Sequence, residues 1–266
     1  MKEIETWGVT YERYALAREL AKLKKQYSIQ TVAEMPAHGA KAMPSIYSIG
    51  FGLAGAEVTL INGLDTYQWC WKQLGLEDKV EFLMTDCVYD TNLPDNSFDL
   101  VWNFAYLPMA DNHHRLVEEM KRISKKYVAF FSVNRGNIGF HIHRFLHKAK
   151  RVSWTHGDIY FNKQRNVARF MKRYGLRIVG KGFVDCPVWP DSLGFRDMRL
   201  HRENISFDTA QWESPYIDNL VSGKFPLWIK LVYAWEKIPN FAFVKTIYAH
   251  INYVIGEKQE LREAEL

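Results

Sequence analysis

Ser48-Ile-Gly-Phe-Gly-Leu-Ala-Gly-Ala-Glu-Val-Thr-Leu-Ile-Asn-Gly63 sets Gly50, Gly52 and Gly55 at the G-x-G-x-x-G spacing of a dinucleotide cradle, just ahead of the apolar run Val58 to Ile61. Such a cradle needs its first glycine directly after a strand and its last at the start of a helix, so that the pyrophosphate meets free N–H groups. Here the order is reversed. Gly55 is followed almost at once by the strand, with no room for a crossover helix, so the glycines belong to the end of a helix and its exit turn. Small residues for close packing and a helix stop explain them, and a nicotinamide-dependent oxidoreductase is disfavoured.

Working outward, apolar residues at helical spacing predict a helix from Tyr11 to Tyr27. Short apolar runs predict strands at Thr31–Glu34, Val58–Asn62, Val80–Met84, Asp99–Asn103 and Tyr127–Val133, with helices over Ser45–Ala54, Asp65–Leu74 and Asn112–Ser124 between them. This alternation implies a doubly wound, mostly parallel seven-stranded α/β sheet of Rossmann-like type with helices on both faces. A helix at Asp158–Tyr174 and a strand at Arg177–Val184 follow, with a last strand expected at Phe195–Leu200. From residue 206 the character becomes helical, with Pro226–Ile238 and then Phe241–Ile255, capped by Asn240 and stopped by Gly256; the charged tail from Glu257 is expected to fray. The expected organisation is a domain over 1–205 and a C-terminal helical extension over 206–266 that packs on it.

Composition bounds the function. Hydrophobic residues make up 47% and charged ones 24%, a globular balance, while nine Trp suggest apolar or ring-shaped contacts beyond an ordinary core. Cys70, Cys87 and Cys186 lack metal-ligand spacing and are odd in number, which fits a reducing cytoplasmic setting. The N-terminus has no signal-peptide core and no window is apolar enough to span a bilayer. A net charge of +5 with scattered Lys and Arg does not favour nucleic acid.

In an open parallel sheet, ligands sit beyond the carboxyl ends of the strands where the strand order reverses. Glu34, Gly39 and Asn62 are expected to converge there. Glu34-x-Pro-x-x-Gly39, Ala-Gly-Ala-Glu-Val-Thr leading to Asn62, Thr85-Asp86-Cys87, and Leu93-Pro-Asp-Asn-Ser-Phe-Asp99-Leu-Val-Trp-Asn103 together resemble a class I S-adenosylmethionine-dependent methyltransferase, over about residues 10 to 200. The resemblance implies S-adenosylmethionine as cofactor. Glu34 would organise the turn Met35, Pro36 and Gly39 around the methionine moiety. Asn62, with Gly63, would stand at the ribose, Asp86 would accept from the adenine amino group with Cys87 offering its N–H, and Asn103 and Phe104 would lie under the sulfonium. Two departures stand out: the glycine-rich turn is longer than usual, and Asn62 replaces the acidic residue that commonly holds both ribose hydroxyls. They leave open a catalytically inactive binding or scaffold protein of the same fold.

On the acceptor side, His113 and His114 follow the fourth strand and are candidates for a general base, although Asp111 or Asn112 as a helix cap, with both histidines exposed in its first turn, is the favoured reading of the stretch. The acceptor implied is a small or lipid-like molecule. Peripheral membrane contact through 226–255 is compatible with the Trp- and Lys-containing helices, and the oligomeric state is open. His141-x-His143-x-x-x-His147 puts His143 and His147 on one helix face, but no Cys or acid stands at ligand spacing and Arg144 and Lys148 intervene, so no metal is expected. The loop Val133–Gly139 and the turn Asp185–Asp191 are candidate substrate-lining segments.

Overall fold

Gly50 and Gly55 sit as the order of the elements requires. In the computed structural model, which describes residues 2–5, 7–37, 46–187, 189, 211–238 and 242–259, Gly50 lies inside a short helix and Gly55 in its exit turn at φ 84°. A Cβ on Gly50 would come within 2.6 Å of the Ala17 backbone, so the glycine lets two helices pack backbone to backbone.

The elements run β1 (Lys2–Ile4), α1 (Trp7–Gln26), β2 (Thr31–Glu34), α2 (Ile49–Leu53), β3 (Glu57–Ile61), α3 (Gln68–Gln73), β4 (Val80–Leu83), β5 (Phe98–Phe104), α4 (His113–Ile123), β6 (Ser124–Val133), α5 (Ile138–Ala149), α6 (Gln164–Arg173), β7 (Leu176–Val184), β8 (Gln211–Glu213), α7 (Pro215–Ser222), α8 (Leu227–Lys237), α9 (Ala242–Tyr248) and β9 (Ile251–Lys258). Seven strands form one sheet in the order β4-β3-β2-β5-β6-β9-β7. β2 to β6 run parallel, and β9 is antiparallel to both its neighbours. β1 and β8 make a separate parallel pair.

The expectations for β2 through β7 hold to within a few residues, apart from the helix at 158–174, which divides into a 3-10 turn at Ile159–Asn162 and α6. The C-terminal extension differs. Its helices are α7, α8 and α9, but residues 251–258 form a strand buried inside the sheet rather than the end of a helix running to Ile255. The expected strand at Phe195–Leu200 and the cap at Asn240 lie outside the described residues. A strand buried on both faces carries a continuous apolar run, and Ile251-Asn-Tyr-Val-Ile-Gly has no polar alternation to set it apart from a helix. With β9 between β6 and β7, the segment between β7 and β9 is a long excursion that returns to complete the sheet.

One face of the sheet is covered by α1, α2 and α3, with α7 and α8 outside them, around Tyr11, Leu20, Phe51, Trp71 and Trp102. The other is covered by α4 and α6, around Val101, Met120, Phe130 and Met171. The segment most specific in the sequence is held by charge. Arg122 of α4 donates to the Leu93 carbonyl, to Asp95 and to Glu119, while Glu119 accepts from the Thr91 N–H and hydroxyl. Partial burial alone would raise the Glu119 carboxyl, but the hydrogen bonds from Arg122 and Thr91 hold it down at about 2. At the start of β5, Asp99 accepts from the N–H groups of Gln30 and Thr31, and the Thr31 hydroxyl accepts from the Asp99 N–H, which locks β5 against β2.

Gly256 separates the two readings of the chain's end. Beyond a helix it would tolerate a side chain, whereas in β9 a Cβ would meet Met171 at 2.8 Å and Leu176 at 3.0 Å. Gly256→Leu is therefore expected to destabilise the fold by about 1–3 kcal/mol through overpacking. Urea denaturation measures it; a midpoint equal to that of the parent would place residue 256 outside the sheet.

Candidate active site

Because β2, β3, β4 and β5 are parallel, Glu34, Asn62, Asp86 and Asn103 all lie at or just beyond the same edge of the sheet. Backbone hydrogen bonds join these tips. The Met35 N–H donates to Trp102 O at 2.8 Å, the Ala37 N–H to Ile61 O at 2.7 Å, and the Asn62 N–H to Leu83 O at 2.7 Å. Gly39 lies outside the described residues.

Glu34 is 1% exposed, a carboxylate at the end of a buried strand. Ser48 Oγ donates to its Oε2 at 2.6 Å and accepts from Trp102 Nε1 at 3.1 Å. Ser48 stands at the N-cap of α2, yet its hydroxyl serves Glu34 and not the helix. Beside it Tyr47 stacks on Phe104, with centroids 3.9 Å apart and planes 24° apart, and the Arg13 guanidinium of α1 lies over the Tyr47 ring, 5.3 Å from its centroid. The Tyr47 hydroxyl is buried with no hydrogen-bond partner, and burial raises its pKa well above the ordinary phenol value. Arg13 is ion-paired with Glu5 at 2.7 Å, and Ser214 donates to the same carboxylate oxygen from the excursion between β7 and β9. Sequence reasoning missed Tyr47, Ser48 and Arg13, because the glycines drew the reading of that stretch and Arg13 lies on a helix with no motif; a Tyr-Ser pair just before the glycine-spaced helix was the available signal.

The remaining expected residues separate by face. Asn62, at φ 56°, spends Oδ1 on the Thr85 N–H at 2.8 Å and so fixes the exit of β4. Gly63 has no room for a side chain, since a Cβ would stand 2.9 Å from Leu60. Asp86 is exposed, and the Cys87 N–H lies 3.3 Å from Thr85 Oγ1, inside the turn. Pro36 follows Met35 through a cis peptide, and the Met35 side chain is buried on the α4 face. Asn103 also points to that face: its Nδ2 reaches Met120 Sδ at 3.5 Å and its Oδ1 is buried without a partner. Phe104 faces Tyr47.

The two histidines diverge. Asn112 caps α4 by accepting from the Arg115 N–H. His113 stacks on Phe161 at 4.3 Å, its Nε2 buried and without a hydrogen-bond partner, and burial lowers its pKa. His114 contacts the Tyr174 hydroxyl and the Phe170 ring on α6. The loop after β6 is used for docking: Asn134 Nδ2 donates to Thr246 O and Ala249 O, and Asn137 Nδ2 to Tyr248 O. In the turn after β7, Trp189 packs against Trp7, Tyr11 and Trp228.

A family model described as a methyltransferase domain matches residues 47–131, about a third of the chain. Solved structures agree with the fold. The MccD protein is 11% identical with a TM-score of 0.51, covering 90% of this chain and 96% of its own. The [4+2]-cyclase SpnF is 14% identical with a TM-score of 0.51, covering 91% and 80%. A candidate sarcosine dimethylglycine methyltransferase from Galdieria sulphuraria is 12% identical with a TM-score of 0.50, covering 91% and 85%. No curated protein matches the sequence. The chain thus has the Rossmann-like fold seen in methyltransferases, and its residues 47–131 match a methyltransferase domain.

Ser48→Ala removes the donor to a buried carboxylate and the acceptor of the Trp102 indole together. It is expected to cost about 1–3 kcal/mol, the penalty for a buried polar group left unsatisfied. Guanidinium unfolding measures the loss, and a change below about 0.5 kcal/mol would show that Glu34 is held mainly by other groups.

Proposed function

We propose that this chain transfers a methyl group from S-adenosylmethionine to a small or lipid-like acceptor, with the donor lying across the tips of β2 to β5. The observation that carries this is the pair of chemically distinct ends at one edge: a buried carboxylate with an unpartnered phenol beside it at β2, and an exposed carboxylate after β4. Glu34 and Tyr47 would receive the amino-acid end of the cofactor, Asn62 and Gly63 the ribose, and Asp86 and Cys87 the adenine; the Met35–Pro36 turn and Phe104 would shape the space between. The fit is sound at the unsatisfied Tyr47 hydroxyl. At Asn62 it is looser, since its only side-chain oxygen already accepts from the Thr85 N–H.

Methyl transfer from a sulfonium is an in-line displacement at carbon, so aligning donor and acceptor supplies much of the rate. A base is required only for an acceptor that keeps its proton near neutrality. Of the two candidates His113 has the lowered pKa that keeps an imidazole neutral, but its Nε2 is buried and would have to be uncovered to meet an acceptor; His114 is engaged with α6. The lipid-like form of the acceptor is supported by Leu227, Leu231, Trp235 and Ile238, exposed along α8, although no helix among the described residues is long and apolar enough to cross a membrane. Because a shared fold does not fix a shared chemistry, a binding protein without transferase activity is the competing reading. Calorimetric titration with S-adenosylmethionine, followed by methyl-transfer assays over acceptor classes, distinguishes the two.

Asp86→Ala is expected to weaken S-adenosylmethionine binding by about 1.5–3 kcal/mol, the range for a hydrogen bond to a charged group, with little change in stability because the side chain is exposed. Unchanged affinity by calorimetry would move adenine recognition elsewhere. Asn62→Asp should retain the bond to the Thr85 N–H, since a carboxylate oxygen accepts as the amide oxygen does, while its second oxygen offers a charge-assisted bond to the ribose. Tighter binding with an unaltered melting temperature is the expected result. Weaker binding would mean that the amide's own N–H groups are used.

A further inference from the structure

α5 and the turn after it gather three imidazoles that the cofactor edge does not use. His143 and His147 stand one turn apart on α5 with their Nε2 atoms 3.1 Å apart. His156 folds back onto them from the following loop, with ring centroids 4.9 Å from His143 and 5.6 Å from His147. One ring nitrogen of each lies within 4.8 Å of the others. The pair was visible in the sequence, but His156, nine residues beyond His147, was not, because only the turn brings it back.

The local hydrogen bonds settle which nitrogen His147 presents. Its Nδ1 stands 3.0 Å from Ser153 O and 3.2 Å from Val152 O, and carbonyl oxygens only accept, so Nδ1 carries the proton. The lone pair is therefore on Nε2, aimed at the other two rings. A histidine that ligates a metal is oriented in this way, with its far nitrogen donating to a carbonyl. Trp154 packs on all three rings, 4.7 to 5.3 Å between centroids, and its Nε1 donates to Gly157 O. The turn itself is tightly seated. A Cβ on Gly157 would fall 2.0 Å from Pro108 O, and the Asp158 N–H donates to that same carbonyl at 2.7 Å. Pro108 belongs to the turn after β5, so the cluster adjoins the loops at the ligand edge.

We propose that His143, His147 and His156 form a mononuclear site for a divalent cation of the zinc class, with a fourth position open to water or another ligand. Two imidazole nitrogens on one tetrahedral zinc, each about 2.0–2.1 Å from the ion, stand roughly 3.3 Å apart, so the His143–His147 separation needs little adjustment. Three neutral nitrogen donors suit Zn2+, Co2+, Ni2+ or Cu2+ and are poor ligands for Mg2+ or Ca2+. The absence of a thiolate from the set, with Arg144 lying 5.8 Å from the Trp154 ring, makes the site weaker than a cysteine-rich one. The site does not depend on methyl transfer.

The test uses the full chain purified without a histidine tag, stripped with chelator and titrated with ZnCl2 by calorimetry, and then loaded with Co2+ for visible spectroscopy. One Zn2+ per chain is expected, with the intense visible bands of tetrahedral Co2+. His143→Ala and His156→Ala, both at half-buried positions, should each weaken Zn2+ by at least about tenfold, the lower bound for disturbing a metal-holding histidine, while circular dichroism shows the fold intact. No Zn2+ binding up to millimolar concentration overturns the proposal. So does parental affinity in both variants, which would reduce the His143–His147 contact to a hydrogen bond.

Discussion

A carboxylate closed into an apolar core must find hydrogen-bond donors or lose its charge, and Glu34 at the tip of β2 imposes that condition on everything around it. Ser48 meets it, which places the start of α2 against the end of β2 and takes the serine hydroxyl from its usual capping duty. Trp102 of β5 then donates to Ser48, so three elements far apart in sequence share one polar centre. The backbone bonds from Met35 to Trp102, Ala37 to Ile61 and Asn62 to Leu83 draw the neighbouring strand tips to the same centre. The edge of the sheet is thereby assembled by the chain's own groups, and the Tyr47 hydroxyl stands buried beside it without a hydrogen-bond partner.

The second constraint is the antiparallel strand β9. It pairs with β6 on one side and β7 on the other, so the sheet closes only when the chain returns from its excursion through β8, α7, α8 and α9. That excursion is bound to the core rather than hung from it. Ser214 joins the Glu5–Arg13 pair, Glu236 accepts from the Tyr11 hydroxyl and the Cys186 N–H, and Asn134 and Asn137 hold the carbonyls around Tyr248 and Ala249. The aromatic excess finds its use here, where Trp7, Tyr11, Trp189 and Trp228 pack edge to face over the start of α1. Apolar area and ring geometry account for these three tryptophans.

By itself the sequence determined the alternation of strands and helices from Thr31 to Val184, apart from α5, because those elements carry a local signal: a short apolar run, a helical period, or a turn residue. The reversed order of glycines and strand excluded a dinucleotide cradle, and the parallel arrangement put Glu34, Asn62 and Asp86 at one edge. The Leu93 to Asn103 segment was legible because its charges have fixed tasks, with Asp99 and Arg122 tying it to β2 and α4. Only the tertiary structure decided the fate of 251–258, since a strand buried on both faces and an apolar helix face read alike when neither alternates with polar residues. It alone set Tyr47 against Phe104, gave His113 and His114 different partners, and folded His156 onto His143 and His147. Those outcomes depend on contacts between residues distant along the chain, and local periodicity carries no record of them.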